Sequence, residues 1–483
     1  MATRAYSRLL EWGTSALLAA LFVVLWWRQR GVAPALHEEA WSLLHAQLGF
    51  SGLWQATAQM DRSWLAYWLC LVPFGSGADA LLMARTISLV CAAVVVLAVA
   101  ATAGRLWGFG GALVAGGFLV ANPAFVSLAL SARGEMPALA LLALATWLLV
   151  ARLESYQDLG LGPALVYGLL VSAVVLVDLS LAPILIAHLL YAATMRPSPQ
   201  GWRQLVPSWL IAAGFSALIW VNGHAERPSH AGVNWFTTAW DPAVEAAGGV
   251  SGRSLMIAAA VIIVISIVNS RGNAFFDTGL GLALIMMAAQ PLATAALALS
   301  GRVPGPDQVF GATTLGMALL LGCAAGQWRG VNMHSLVVFL LVASIGILGW
   351  RGYGTTKPSW RNLDGNPPLS RDLALTTTAG DVIAVDESSG PGLTGAIALS
   401  LGDQRLWQQA REQLSSASPR VFVVGSRDPW TSRDATAAEA RGDAVSTVHW
   451  VSLDKTSTPG WAQCVTVGSN DYAGAEVRHL SCS

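Results

Sequence analysis

Acidic side chains are rare in the first 350 residues, and two of them are adjacent. Glu38 and Glu39 open a short amphipathic stretch, and Asp61 precedes a second one, 64–74, which is too short to span a bilayer. Carboxylates exposed beside a membrane can accept a proton from a substrate hydroxyl. They are also typical of the first turn of an interfacial helix, where the helix dipole favours negative charge. Both interpretations stay open on spacing alone.

Residues 1–350 contain sixteen arginines and no lysine. Arg85, Arg133 and Arg302 are among those that fall on the predicted outer side of the membrane, against the positive-inside rule. An anionic ligand at the outer face is one explanation, because a guanidinium group holds phosphate through two parallel hydrogen bonds and is always charged. Anchoring of helix ends at lipid headgroups, or a GC-rich genome, explains the same bias.

The elements that must position these residues are transmembrane helices. Of the 483 residues 54% are hydrophobic, and mean hydropathy is +0.54, so most of the chain belongs in a bilayer. Zero net charge and the absence of basic blocks or heptads exclude a nucleic-acid-binding, disordered or coiled-coil protein. About eleven spans are predicted, at residues 15–27, 80–103, 110–128, 137–153, 163–177, 181–194, 205–221, 255–268, 278–299, 309–326 and 335–350.

The first span follows Arg4 and Arg8, as in a signal sequence or a first transmembrane helix. We interpret it as an uncleaved helix of a multi-pass plasma (inner) membrane protein, with the N-terminus in the cytoplasm. An odd number of spans then places the C-terminus outside. The predicted architecture is a mainly α, polytopic transmembrane domain, 1–350, with outer-face loops 28–79 and 223–253.

Residues 351–483 hold 26 of the chain's charged residues, which predicts a soluble C-terminal domain. Apolar runs within it predict an α/β fold, with strands near 381–386, 420–425, 445–453, 461–467 and 476–481 and a helix at 403–414. Cys464 and Cys482 are its two cysteines. They suggest one disulfide, which requires an oxidising, extracytoplasmic location; two unrelated thiols are the alternative.

Several short motifs follow one another in a characteristic order. They are Glu38-Glu39-Ala40-Trp41-Ser42-Leu43, Asp61-Arg62-Ser63-Trp64-Leu65-Ala66-Tyr67, Ala84-Arg85-Thr86-Ile87-Ser88, Asn122-Pro123 and Arg133-Gly134-Glu135. This order resembles the C-type superfamily of membrane glycosyltransferases, in particular its dolichyl-phosphate-mannose protein mannosyltransferase and aminoarabinose transferase branch. Two positions differ from the family pattern: Glu38 stands where the family has Asp, and Arg62-Ser63-Trp64 replaces His-Pro-Pro.

The resemblance implies transfer of a mannose-type or arabinose-type sugar, with inversion, from a polyprenyl-phosphate donor to a cell-envelope glycan, lipid or protein on the outer face. It implies Glu38 as the base, with Glu39 and Asp61 as supporting acids. The same resemblance implies that the donor phosphate is bound by Arg85, Arg133 and Arg302. It implies that the acceptor or lipid is contacted by Trp41, Trp64, Tyr67, Trp235 and Trp240. A divalent cation, Mg²⁺ or Mn²⁺, could join the carboxylates, although no spacing requires it.

Two other functions fit the same sequence. Many helices with few intramembrane acids also describe a transporter or lipid flippase, for which an internal repeat would be the signature. The Glu38 and Arg62 departures also fit an inactive scaffold of envelope assembly. We further hypothesise that the C-terminal domain binds or gates an acceptor glycan.

Overall fold

The computed structural model describes most of the predicted helical regions and the paired strands near the C-terminus. It covers residues 2–31, 36–59, 65–75, 77–154, 161–195, 199–222, 243–244, 246–248, 254–258, 260–261, 264, 278–299, 311–326, 337–349, 382–385, 390–401, 407–408, 410–411, 420–423, 430–431, 447–452, 464–472 and 475–482.

Helices dominate the part before residue 350. In chain order they are α1 (Ala2–Trp26), α2 (His37–His45), α3 (Gly49–Gln59), α4 (Leu65–Leu71), α5 (Ala78–Ala121), α6 (Pro123–Ala129), α7 (Glu135–Leu153), α8 (Leu161–Val177), α9 (Ile184–Met195), α10 (Pro199–Asn222), α11 (Thr278–Leu299), α12 (Gly311–Gly326) and α13 (Val337–Gly349).

The helices confirm a mainly α, multi-pass membrane protein. Among the described residues, four helices are long and apolar enough to cross a bilayer: Leu10–Gly31, Ala78–Ala121, Glu135–Leu153 and Gly279–Ala296. Further apolar helices of 10–17 residues accompany them. Every apolar run predicted from the sequence contains helical residues. The number of spans stays a prediction.

Helix α5 folds back on itself at Gly108. This residue has φ 78° and ψ −169°, a conformation that is essentially restricted to glycine. A Cβ atom at Gly104 would lie 3.2 Å from that of Ala112, and one at Gly116 would lie 3.0 Å from that of Ala100. The two arms of α5 therefore run antiparallel, packed through small side chains that let the backbones approach. They correspond to the predicted runs 80–103 and 110–128.

The second arm of α5 ends before the end of the predicted run 110–128, because the helix breaks at Asn122. Asn122 is extended, and its side-chain oxygen accepts hydrogen bonds from the backbone N–H groups of Ala124 (2.9 Å) and Phe125 (3.2 Å). Pro123 disfavours helical geometry at the residue before it, so α5 ends there and α6 begins. The break places residues 130–134, including Arg133, in the connection between α6 and α7.

The strands near the C-terminus form one mixed sheet in the order β3-β2-β1-β4-β6-β5. They are β1 (Val382–Val385), β2 (Arg420–Val423), β3 (Trp430–Thr431), β4 (Thr447–Ser452), β5 (Cys464–Tyr472) and β6 (Ala475–Cys482). Strand β1 pairs parallel to β4, and the other pairs are antiparallel. The five predicted strand regions all contain strand residues, whereas β3 was not predicted.

A helix that the sequence did not predict precedes β2. It is α14 (Gly390–Leu401), and only fragments of the predicted helix 403–414 are described as helical. The apolar pattern of α14 is interrupted by Gly390, Gly392 and Gly395 and by Ser400, so the sequence did not indicate a helix there. Helix α14 packs against α2, the helix that carries Glu38 and Glu39.

Candidate active site

The acidic pair lies in the first turn of α2, and both carboxylates are buried. Leu36 precedes the helix in an extended conformation, and its backbone N–H donates to Glu39 Oε2 (2.8 Å). This contact is one half of a capping box, which turns the Glu39 carboxylate back towards the start of the helix. Glu39 is fully buried, and Glu38 is 8% exposed.

Glu39 is held by four hydrogen bonds from three parts of the chain. Arg85 on α5 donates from Nε to Oε1 (2.8 Å) and from Nη2 to Oε2 (2.6 Å), a bidentate ion pair. The backbone N–H of Ala132 donates to Oε1 (2.7 Å), in addition to the Leu36 contact. Arg85 Nη1 donates to the Arg30 carbonyl (3.1 Å). Glu39 and Arg85 therefore join α2, α5 and the connection before α7 into one rigid unit.

Glu38 occupies the more open side of the same cluster. Its Oε2 lies 2.6 Å from Nη2 of Arg133, and that nitrogen lies 3.3 Å from Oε1 of Glu135, in the first turn of α7. The Glu38 and Arg133 side chains are 10% and 11% exposed, compared with 0% and 3% for Glu39 and Arg85. Among the described residues of the cluster, Glu38 and Arg133 are therefore the more accessible ion pair.

The cluster is anionic when its members are ionised, since three carboxylates share the two guanidinium groups of Arg85 and Arg133. Arg133 is positioned between two of these carboxylates, Glu38 and Glu135. A phosphate group arriving at Arg133 would compete with carboxylates that are already there. The arrangement can therefore exchange one anion for another on a single guanidinium.

An aromatic layer lies along α2, next to the acids. The His45 ring stacks on Trp41 at 4.6 Å between centroids and on Trp68 of α4 at 4.5 Å. His45 Nδ1 forms a 2.8 Å hydrogen bond with the Trp41 carbonyl. Burial lowers the pKa of His45 to about 4, although this hydrogen bond opposes the shift. His45 is therefore neutral at physiological pH.

Tyr67 of α4 is 2% exposed and lies close enough to the acids to sense their charge. Its pKa is raised well above the usual value, first by burial and then by the negative charges of Glu39 and Glu135. The hydroxyl stays protonated, so it is an uncharged group that can both donate and accept a hydrogen bond. Tyr67 is thus part of the core beneath the cluster, and its burial does not favour the predicted lipid contact.

The structure brings together Glu38, Glu39, Arg85 and Arg133, four residues selected from the sequence that were separated by up to about a hundred positions. Arg133 also lies 3.3 Å from Glu135, its neighbour in the same sequence motif. Trp41 and Tyr67, two further predicted site residues, lie on α2 and α4. Five others lie outside the described part of the chain: Asp61, Trp64, Arg302, Trp235 and Trp240.

Cys464 and Cys482 are opposite each other in the β5–β6 register. Directly paired residues on antiparallel strands have Cα atoms about 4.5–5.5 Å apart, within the range that a disulfide spans. The backbone pairing is compatible with the predicted disulfide, which stays a prediction.

The described acids do not fit a divalent cation. Within the part of the chain that the structure describes, no group of three or more His, Cys, Asp or Glu side chains could hold a metal ion. Glu38 and Glu39 each face an arginine, and a guanidinium at 2.6 Å occupies the position that a cation would need.

The whole chain is similar in structure to ArnT from Cupriavidus metallidurans, an aminoarabinose transferase. The apo structure of ArnT matches with a TM-score of 0.56 at 12% identity, over 97% of this chain and 98% of that chain. This similarity shows that the chain shares the fold of ArnT. The structure of ArnT bound to undecaprenyl phosphate matches with a TM-score of 0.54, also at 12% identity, over 96% of this chain and 97% of that chain. No family model and no curated protein sequence matches the chain.

Two contributors to the candidate site were not predicted from the sequence. The Ala132 N–H, which donates to Glu39, left no signal, because a backbone donor is present at almost every residue. The docking of α14 on α2 could have been suspected from the Gly390-Pro391-Gly392 and Gly395 spacing, since small residues permit close helix contact.

Proposed function

We propose that this protein is a membrane glycosyltransferase that moves a sugar from a polyprenyl-phosphate donor to an acceptor hydroxyl. The observation that carries the proposal is the partly open Glu38–Arg133 pair, a carboxylate and a guanidinium 2.6 Å apart beside a rigid ion pair. The fold supports it, because ArnT has the same fold and one of its structures is bound to undecaprenyl phosphate.

In the proposed reaction, Glu38 accepts the proton of the acceptor hydroxyl. The hydroxyl oxygen attacks the anomeric carbon of the donor sugar from the face opposite the phosphate. The bond between the anomeric carbon and the phosphate oxygen breaks, and its electron pair leaves with the polyprenyl phosphate. Arg133 neutralises the charge that develops on that phosphate. A single displacement of this kind inverts the anomeric configuration.

The Glu38–Arg133 pair suggests how donor binding prepares this reaction. Arg133 neutralises Glu38, so the base and the phosphate-binding group occupy each other. A lipid phosphate that captures Arg133 leaves Glu38 free to take a proton. Glu135, at 3.3 Å from the same guanidinium nitrogen, keeps Arg133 near the cluster during the exchange.

Glu39 and Arg85 have positioning roles in this proposal. All three guanidinium nitrogens of Arg85 donate hydrogen bonds within the protein, two of them to Glu39. A direct phosphate contact by Arg85 would have to break this buried pair, which is costly. We therefore assign the phosphate to Arg133, with Arg302 as a sequence-based candidate, and keep Asp61 as a candidate supporting acid.

The proposed location is the outer face of the plasma (inner) membrane. The N-terminus is in the cytoplasm, and the domain of residues 351–483 is extracytoplasmic, as the odd number of predicted spans requires. The acceptor is a cell-envelope glycan, glycolipid or protein, and the sugar is of the mannose or arabinose type. Fold alone does not identify either substrate.

The test is release of polyprenyl phosphate from a labelled polyprenyl-phosphate sugar by proteoliposomes that contain the protein. Glu38→Gln should lower the rate at least about a hundredfold, as expected for loss of a general base. The matched control is Glu154→Gln. Glu154 follows the other end of α7, about 28 Å from Glu135 at 1.5 Å per residue, and there it accepts a hydrogen bond from Tyr191.

Equal rates for Glu38→Gln and the wild type would remove Glu38 as the base. Counterflow of the intact lipid, without covalent transfer, would favour the transporter or flippase. Absence of both activities would favour the inactive scaffold.

A further inference from the structure

The position of α2 depends on its neighbours. It has nine residues, and an isolated helix of this length is unstable in water. Of the described helices, α14 makes the most extensive contact with α2. Besides the Glu39–Arg85 ion pair, the helix that carries the candidate base is therefore held by α14, which belongs to the C-terminal segment.

Two glycines of α14 make this contact close. A Cβ atom at Gly392 would overlap the indole of Trp41. One at Gly395 would lie 3.0 Å from Ala40 Cβ and 3.2 Å from Leu44 Cδ1. Glycine inside a helix costs about 1 kcal/mol relative to alanine. Close approach to α2 explains why glycine stands at both positions.

The contact is buried and continuous with the core. On the α2 side, Ala40 and Leu44 are fully buried. On the α14 side, Leu393, Thr394 and Ala396 are at most 1% exposed. Contacts packed to this degree transmit a displacement instead of absorbing it, because close-packed interiors are hardly compressible.

The contacted residues directly follow the acids. Ala40 and Trp41 come immediately after Glu38 and Glu39 on the same nine-residue helix. A movement of α2 away from its seat would shift both carboxylates, and with them the 2.6 Å contact between Glu38 and Arg133.

We propose that the C-terminal segment positions the candidate base: through Gly392 and Gly395, α14 seats α2 so that Glu38 faces Arg133. This inference rests on the proposed function, and it makes Gly392 and Gly395 positioning residues. It differs from acceptor binding by the C-terminal domain, because it predicts a loss of turnover that does not depend on which acceptor is used.

The first experiment measures kcat and donor KM of the full-length protein in proteoliposomes. Gly392→Ala should lower kcat at least about tenfold, because misplacement by about 1 Å can cost a hundredfold in rate. Donor KM should stay within about threefold of the wild type, since the lipid phosphate contacts are retained. Gly214→Ala is the matched control, because Gly214 is also helical and a Cβ there would meet nothing within 4 Å.

A double mutant separates positioning from general damage. In a Trp41→Ala background the indole that Gly392→Ala displaces is absent, so adding Gly392→Ala should change kcat less than about twofold. Equal losses in both backgrounds, or an unchanged kcat for Gly392→Ala, would overturn the proposal. If Gly392→Ala cannot be recovered folded, Gly395→Ala replaces it in the same measurement. This variant is milder, because Ala40 and Leu44 need to move only a few tenths of an ångström to accept the new methyl group.

A cross-link tests the docking without any activity. Ala40→Cys and Gly395→Cys, oxidised in membranes, should keep the two halves joined after cleavage at a protease site inserted between positions 351 and 381. Ala40→Cys with Gly214→Cys should not. Absence of the first cross-link would refute the docking while leaving the Glu38→Gln test intact. A wild type that releases no polyprenyl phosphate would instead remove the proposed function, and the positioning role with it.

Discussion

Removing one partner of the Glu39–Arg85 pair should destabilise the protein strongly. Both side chains are at most 3% exposed, and Arg85 supplies two of the four hydrogen bonds that Glu39 accepts. Arg85→Met leaves a buried carboxylate with only the N–H groups of Leu36 and Ala132. Breaking a buried ion pair in this way costs about 3–5 kcal/mol of unfolding free energy. Glu39→Gln should cost a similar amount, because Arg85 then lacks its counter-charge.

The double variant Glu39→Gln, Arg85→Met should recover part of this loss, since no unpaired buried charge is left. A double-mutant cycle on unfolding in one detergent, followed by tryptophan fluorescence, should give a coupling energy of about 2 kcal/mol or more. Glu38→Gln should cost less, because the Glu38–Arg133 pair is about a tenth exposed. A coupling energy below about 0.5 kcal/mol, the range of exposed pairs, would refute the rigid unit on which the positioning role of Glu39 depends.

Three further predictions concern residues away from this pair. Because the pKa of His45 is about 4 when folded and 6.5 when unfolded, its contribution to stability is complete above pH 6.5 and is lost as pH falls towards 4. His45→Phe should reduce the slope of the unfolding free energy against pH between pH 4 and 6.5. A slope equal to that of the wild type would contradict this prediction. Gly108→Ala should cost about 1–3 kcal/mol of unfolding free energy through its positive φ, in contrast to Gly346→Ala at an exposed position of α13 with open space around it. The protein purified from an oxidising compartment should carry the Cys464–Cys482 disulfide, visible as a mass two hydrogens lower than after reduction; two free thiols would contradict this.

Part of the fold could be predicted because a bilayer imposes simple rules on sequence. A span needs a long apolar run, so the runs 137–153 and 278–299 matched α7 and α11 almost residue for residue. The helix break at Asn122-Pro123 also follows from a local rule, because proline disfavours helical geometry at the preceding residue. The predicted span 110–128 nevertheless extends across it, because that span was chosen for its apolar composition. Strands such as β1 were predicted because a short apolar run, rich in β-branched residues and bounded by polar ones, is typical of a strand.

The sequence alone determined that this is a membrane protein with few charged residues in its first 350 positions. It also identified Glu38, Glu39, Arg85 and Arg133 as candidate site residues. It could not decide their roles, because spacing along a chain does not say which carboxylate faces which guanidinium. Only the tertiary structure paired Glu39 with a residue 46 positions away and saturated it, while leaving Glu38 on the more open side. The physical reason is that burial and hydrogen-bond saturation are properties of packed neighbours, and those neighbours come from distant parts of the chain.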